Sequence, residues 1–413
     1  MRTFLAVLAL SLFSLHSSAQ IDLKVMCYNV LNFPNGSAGR TDTLKKVLDY
    51  YTPDILMVQE LKSPNGLIFI QDALNEVSSD YYGTGTYVVQ QSNPSSSNKL
   101  QQNIAFNAAK LGLAYEEVVQ TNYRDVNYFK LYLKTADLDI LNDTTFIHCY
   151  VTHLKSSQGA TNEQLRYEMA QVMRSEINNL PADSYVLCAG DFNLYTSNEP
   201  AYQHLIQTGL NNTLVDPIDM PGYWHDFSFP NKEILTQSTR LNSLSDGAGG
   251  GLDDRFDFIL QTENLQTVNS ELYYVDGTYD ALGNNGTCYN LDLLDCSDVN
   301  NVPDSIISAL YYSSDHLPVV CTLRSDRVLG ASVDENFDFT MYPNPSDNLV
   351  TIHSPKQIKD VTLLSSTGQV LLTKNLKTPV ESTDFNIDHL ADGVYFVRVT
   401  SSNNTVIIKQ LIK

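Results

Sequence analysis

The chain has 413 residues, of which 43% are hydrophobic and 18% charged. That balance excludes a disordered chain, and the length exceeds the ~250–300 residues that one core serves, so a second module is expected. Residues 341–413 hold seven Lys/Arg and six Asp/Glu and residues 1–19 hold Arg2, so of the net charge of −21 residues 20–340 carry −23, a field that argues against nonspecific duplex binding through a basic groove.

Arg2, the apolar run Phe4 to Phe13 and Ser17-Ser18-Ala19 ahead of Gln20 read as a signal peptide over residues 1–19. The run is well short of the ~20 residues that a membrane-spanning helix needs, so it is not read as an anchor. Lys24-Val25-Met26-Cys27-Tyr28-Asn29-Val30 places Asn29 inside an apolar strand, where an unpaired amide costs about 1–3 kcal/mol. Asp54 to Glu60 is an apolar run closed by a carboxylate, and Tyr150-Val151-Thr152-His153-Leu154-Lys155 presents His153. Thr161-Asn162-Glu163-Gln164 reads as a capping box, with Leu165, Met169, Val172, Met173 and Ile177 at helical spacing and Pro181 as the stop.

Farther along, Tyr185 to Ala189 delivers Gly190-Asp191-Phe192-Asn193, Arg255 to Leu260 carries Asp257, and Ser314-Asp315-His316-Leu317-Pro318 precedes Val319-Val320-Cys321. An isolated Gly-Asp-x-Asn is ordinary turn chemistry. Six apolar runs that each present one or two of Asn, Glu, His or Asp are an active-site pattern, because a buried strand delivers side chains to a cleft at its rim. Lys155 and Arg240 are candidate phosphate-binding residues. Trp224, between Tyr223 and His225, reads as an aromatic closing over a core edge in preference to a substrate-stacking residue. Gly247 to Gly251 lacks a following Lys-Ser/Thr and reads as a flexible loop near the site.

Cys27, Cys149, Cys188 and Cys321 lie in apolar runs, where a free thiol acts as a small hydrophobe. Cys288 and Cys296 sit in a polar stretch and are candidates for a disulfide stapling the loop 287–298. Asp292, Asp295 and Asp298 invite Ca2+ there, but without EF-hand spacing or a Gly the loop reads first as solvated acid. After a polar linker at residues 326–340, short strand-like runs with turn signals, including Ser366-Thr367-Gly368-Gln369, read as a small β-sandwich over 341–413. Its Tyr342-Pro343-Asn344-Pro345 start, the run Gly393-Val394-Tyr395-Phe396-Val397-Arg398 and its Lys-rich end resemble the type A sorting domain of the type IX secretion system. That resemblance implies a partner in the secretion machinery and a protein secreted or attached at the cell surface.

Asn29, Glu60, His153, Asp191 with Asn193, Asp257 and Asp315-His316, in that order over roughly residues 21–325, resemble the endonuclease/exonuclease/phosphatase superfamily. The resemblance implies an α/β fold, a four-layer sandwich of two packed mixed sheets flanked by helices, for a catalytic domain at 20–325. It implies a divalent cation, Mg2+ or Mn2+, on Glu60 with Asp315 and Asn29 helping directly or through water. Asp191 would orient and deprotonate a water, Asn193 would donate to the phosphoryl oxygens, and His316, oriented by Asp257, would stabilise transition-state charge. His153 would face the scissile phosphate or leaving group. The glutamate that pairs this histidine in the deoxyribonuclease branch has no counterpart in Leu100 to Phe106, where Gln101 and Gln102 stand. The expectation is a monomeric, secreted phosphodiesterase, an endonuclease acting on extracellular nucleic acid, DNA or RNA. A phospholipid or small phosphoester hydrolase is the alternative, and a degenerate surface-displayed binding module the non-enzymatic one.

Overall fold

A computed structural model describes residues 20–35, 39–135, 144–244, 246–268, 270–296, 302–327, 329, 338–365, 369–402 and 406–413. The expected signal peptide, most of the linker, Asp298 and Ser366-Thr367-Gly368 lie outside the described residues.

Two mixed sheets are each built around one parallel pair. In the first, β1 (Ile21–Phe33) and β2 (Ile55–Leu61) run parallel, joined by helix α1 (Arg40–Tyr51). Strand β2 continues through α2 (Pro64–Val77) to β3 (Tyr82–Thr84) and β4 (Gln101–Asn107). In the second sheet β5 (Leu111–Val119) and β6 (Val126–Leu133) lead to β7 (Phe146–His153), which runs parallel to β8 (Tyr185–Asp191) across helix α3 (Ala160–Asn179). After α4 (Pro200–Leu205), β9 (Leu214–Val215) and β10 (Asp257–Thr262) complete that sheet in the order β5-β6-β7-β8-β10-β9. The chain then returns through β11 (Tyr273–Tyr274), β12 (Asp280–Ala281), α5 (Asp304–Ser313) and β13 (Val319–Ser325) to the first sheet, whose order is β11-β13-β1-β2-β4-β3 with β12 beside β13.

The central strands are apolar on both faces because both faces are covered. On β1, Val25 and Cys27 join one buried cluster while Met26 and Tyr28 join another, and on β8 Leu187 and Ala189 alternate in the same way with Val186 and Cys188. The first cluster, with Met57, Ile104, Val151 and Ile259, lies between the sheets. The second takes Leu44, Val47 and Leu48 of α1 and Met169, Met173 and Ile177 of α3. The result is helix, sheet, sheet, helix, as expected, with each large apolar side chain so buried contributing roughly 1.5–3 kcal/mol.

Helix α3 departs from the expected capping box. It begins at Ala160 behind Gly159, no side chain caps it, and Thr161 is exposed within its first turn. The carbonyl of Gly159 instead accepts from the N–H groups of Asn162 and Glu163, and Gly159 holds φ +105°, a conformation that suits glycine. Trp224 is fully buried, edge-on to Tyr202 and Phe258. Cys288 and Cys296 are bridged, with Cα atoms 5.1 Å apart, and the other four cysteines are buried and free.

The C-terminal region is a β domain with its own core. A long bulged hairpin, β15 (Leu349–Leu364) with β16 (Val370–Asn386), carries β14 (Thr340–Tyr342) on one half and β17 (Val394–Ser401) with β18 (Val406–Ile412) on the other. Val350 and Ile352 from the first half share one cluster with Val361, Leu363, Val397 and Val399 from the second.

Candidate active site

The functional side chains stand on one rim because of strand register. Asp191, the last residue of β8, pairs with His153 at the end of β7 on one side and with Asp257 at the start of β10 on the other. In the opposite sheet Asn29 of β1 pairs with Gln59, next to Glu60 near the end of β2, and His316 lies just before β13, which runs antiparallel to β1. The ends of two parallel pairs therefore face one cleft of about 420 Å3, lined by residues that include Glu60, Arg124, His153, Asp191, Asn193, Gln237, Asp315 and His316.

The backbone is bent to serve this cleft. Glu60 (φ +66°) and Asn193 (φ +49°) sit in the left-handed region, which costs a non-glycine residue about 1 kcal/mol or more and persists where surrounding contacts enforce it. A Cβ on Gly190 would lie 1.9 Å from the carbonyl oxygen of Thr152 on β7, so the close approach of β7 and β8 ahead of Asp191 requires glycine.

Asn29 is the hub. Its Nδ2 donates to Asp191 Oδ2 at 3.0 Å and Glu60 Oε1 at 3.2 Å, while its Oδ1 accepts from the N–H of Leu31 at 3.0 Å. That oxygen thus already accepts one hydrogen bond, and the amide nitrogen holds two carboxylates together through its N–H groups. Glu60 Oε2 accepts from Asn32 N–H at 2.9 Å. Burial, and then the carboxylate of Asp315, push the Glu60 carboxyl upward. Burial does the same to Asp191, aided by Asp257 and Glu60 and opposed by His316.

The two histidines occupy opposite electrostatic states. His316 Nδ1 lies 2.7 Å from Asp257 Oδ2 and its Nε2 lies 3.7 Å from Asp191 Oδ2. Burial works against its charge, but the carboxylates of Asp257 and Asp191 prevail and raise it well above the ordinary range. His153 is held well below that range by burial and by the nearby Arg124. Its Nε2 lies 3.3 Å from Asp191 Oδ2 and 3.9 Å from Glu60 Oε1, and its Nδ1 has no hydrogen-bond partner. The absence of an acid on Leu100 to Phe106 thus coincides with a neutral imidazole.

A hard cation finds suitable donors here. Asp315 Oδ1 is buried without a hydrogen-bond partner, and Glu60 Oε1 accepts one long hydrogen bond, from Asn29 Nδ2 at 3.2 Å. Glu60, His153 and Asp191 also bring ligand atoms within 4.8 Å of one another. Asp315 Oδ2 is fixed by the N–H of Ala248 at 2.6 Å and by Gln237 Nε2 at 3.3 Å.

Lys155 and Arg240 do not line the cleft. The Lys155 ammonium donates to the carbonyl of Ser156 at 2.6 Å. The Arg240 guanidinium is buried and donates to the carbonyls of Tyr311 and Asp246, so it buttresses the 246–248 loop against the site. Among the described residues, the Lys or Arg that does line the cleft is Arg124, whose Nη1 donates to the Leu154 carbonyl at 2.7 Å. Gln237, 2.6 Å from His316 Nε2, and Asn32, whose amide donates to Asp246 at 2.8 Å, complete the wall. Arg124 and Gln237 stand in loops, so the strand-end signal does not reach them, whereas Asn32 closes the Val30-Leu31 run at the end of β1. The Gly247 loop, read as near the site, lines it through Gly247 and Ala248.

Residues 340–413 match the family described as the secretion system C-terminal sorting domain. No curated protein matches the chain. Among solved structures, the chain is similar to humanized D. rerio TDP2 with 14 mutations, at 17% identity over 73% of this chain and 98% of that one, TM-score 0.46. It is similar to the human Nocturnin catalytic domain with bound sulfate, at 15% identity over 73% and 94%, TM-score 0.45. A Bacteroides thetaiotaomicron endonuclease/exonuclease/phosphatase family protein stands at 14% identity over 75% and 97%, TM-score 0.45. Residues 340–413 are a secretion system C-terminal sorting domain, and they follow an α/β sandwich similar to structures of endonuclease/exonuclease/phosphatase proteins.

Proposed function

We propose that this protein is a secreted, divalent-metal-dependent phosphodiesterase that hydrolyses nucleic acid, exported by the type IX machinery through residues 340–413. The observation that carries the reading is the buried carboxylate of Asp191 held among Asn29, His153 and His316, beside Glu60 and an Asp315 oxygen that lacks a partner. Glu60 and Asp315 would hold a cation such as Mg2+ or Mn2+, which when bound neutralises charge on the phosphoryl oxygens.

The remaining steps fall to the chain's own groups. Asp191 orients a water and takes its proton as the water oxygen bonds to phosphorus. The imidazolium of His316, kept charged by Asp257, donates to a phosphoryl oxygen as negative charge builds. Asn193 supplies a further amide donor from the same turn. The phosphorus–oxygen bond to the leaving group breaks in line, and that oxygen collects a proton from solvent. His153, neutral and beside Asp191, hydrogen-bonds without adding charge.

The test is a side-by-side assay of plasmid DNA, RNA, sphingomyelin and a small chromogenic phosphodiester with Mg2+ or Mn2+, each repeated in EDTA. Hydrolysis of nucleic acid that stops in chelator and returns with metal is the expected result. Turnover of sphingomyelin alone selects a lipid hydrolase, and inactivity on all four selects a binding module.

A further inference from the structure

A second cavity of about 300 Å3 abuts the cleft. Tyr195 lines both, and the chain passes from Ser157 on the first to Gln158 and Gly159 on the second. Its walls include Tyr195, Tyr223, His225, Glu163 and Asp226. Tyr223, 63% exposed, stands open to solvent at the edge of this cavity.

The backbone that carries these rings is held in place before any ligand arrives. The segments carrying them are zipped by a bridge between Thr196 and Tyr223, by the N–H of Ser197 on the carbonyl of Gly222 at 2.9 Å and by that of Trp224 on the carbonyl of Tyr195 at 2.9 Å. The buried Trp224 anchors the strip, its Nε1 donating to the Met220 carbonyl. Tyr195 packs edge-on to Phe256 and His225, and His225 Nδ1 lies 2.8 Å from Asp254 Oδ1. A fixed aromatic face binds a planar ring at little entropic cost.

The charge of the walls selects what that ring can be. Among the described residues no Lys or Arg lines the cavity, whereas Glu163, Glu199 and Asp226 do, and of these Glu199 is paired with Arg166 at 2.7 Å. A second phosphate is therefore disfavoured and a neutral ring favoured. We propose that this cavity is a subsite for the nucleobase flanking the scissile phosphate, stacked on Tyr223 and Tyr195. The proposal rests on the phosphodiesterase reading and deepens it: the base must leave its stack to enter, so single-stranded substrates are preferred over duplex.

The probes are thymidylyl-thymidine and its two analogues that each lack one base, assayed with wild type, Tyr223→Ala and Tyr223→Phe. Wild type should favour the full dinucleoside over one analogue by roughly tenfold or more in kcat/KM, the scale of one base–aromatic stack, with the difference in KM. Tyr223→Ala should bring that ratio close to one, and Tyr223→Phe should keep it. A ratio of one in wild type, or one that Tyr223→Ala leaves intact, overturns the subsite while the phosphodiesterase reading stands. Failure to cleave any of the three, together with inactivity on all four substrates above, overturns both.

Discussion

Asp191 reaches its position through contacts that can be removed one at a time. Asp191→Asn keeps the shape of the side chain and deletes the proton acceptor, so turnover should fall by at least about a hundredfold while the circular dichroism spectrum and urea midpoint stay near wild type. Near wild-type turnover would remove Asp191 from the role of base. Gly190→Ala is a harsher change, because the new methyl would lie 1.9 Å from the Thr152 carbonyl and β7 and β8 would have to part. We expect loss of activity and a lower melting temperature together, measured on the same preparation. At this scale the sequence is informative where a polar group closes an apolar run, as with Glu60, Asp191, Asp257 and His316. It is silent on Arg124 and Gln237, which loops bring in, and misleading on Arg240, whose guanidinium turns inward to backbone carbonyls.

Elements are pinned by buried polar pairs as well as by apolar packing. Arg255, just before β10, is fully buried, donates from Nη1 and Nη2 to the two oxygens of Asp216 at 2.7 and 3.0 Å, and lies 4.1 Å from the Phe258 ring centroid. Asp216→Asn strands that guanidinium without its counter-charge and should cost on the order of 3–5 kcal/mol by urea unfolding. In β7, His148 Nδ1 lies 2.7 Å from the Tyr128 hydroxyl, and burial holds its imidazole down to about 4. The unfolded chain binds a proton near pH 6.5 that the folded protein refuses until about pH 4. Stability should therefore be lost as pH falls through that window, by at most about 3 kcal/mol from this group, and His148→Gln should flatten the slope. The two sheets and α3 are legible in the sequence because their strands read as continuous apolar runs and their helix as a 3.6-residue period. The start of α3 is not, since Gly159 leaves no capping side chain to find.

For the molecule as a whole, two cores divide the labour. The cluster under β15 to β18 is made from residues 339–411, whereas Leu329 still packs on the core between the two sheets of the α/β sandwich. Removing residues 338–413 should leave phosphodiesterase activity per milligram within about twofold, since among the described residues none of that segment lines the cleft, while the truncated protein stays in the cell when fractions are compared by immunoblot. Normal export without those residues would overturn their sorting role.

The placement of the sulfur atoms has a consequence for how the chain must mature. Six thiols in an oxidising compartment admit about 15 complete pairings, of which the structure uses one partial choice. Cys27, Cys149, Cys188 and Cys321 are buried in the two apolar clusters of the α/β sandwich, and burial pushes the thiols of Cys188 and Cys321 up to about 12, which disfavours the thiolate that exchange needs. Cys288 and Cys296, eight positions apart in the loop, find each other locally. The order of events thus protects the product: if the sheets close before oxidant reaches the chain, the correct bridge is the one left to form, and a slow-closing variant would instead accumulate as mispaired, disulfide-linked species.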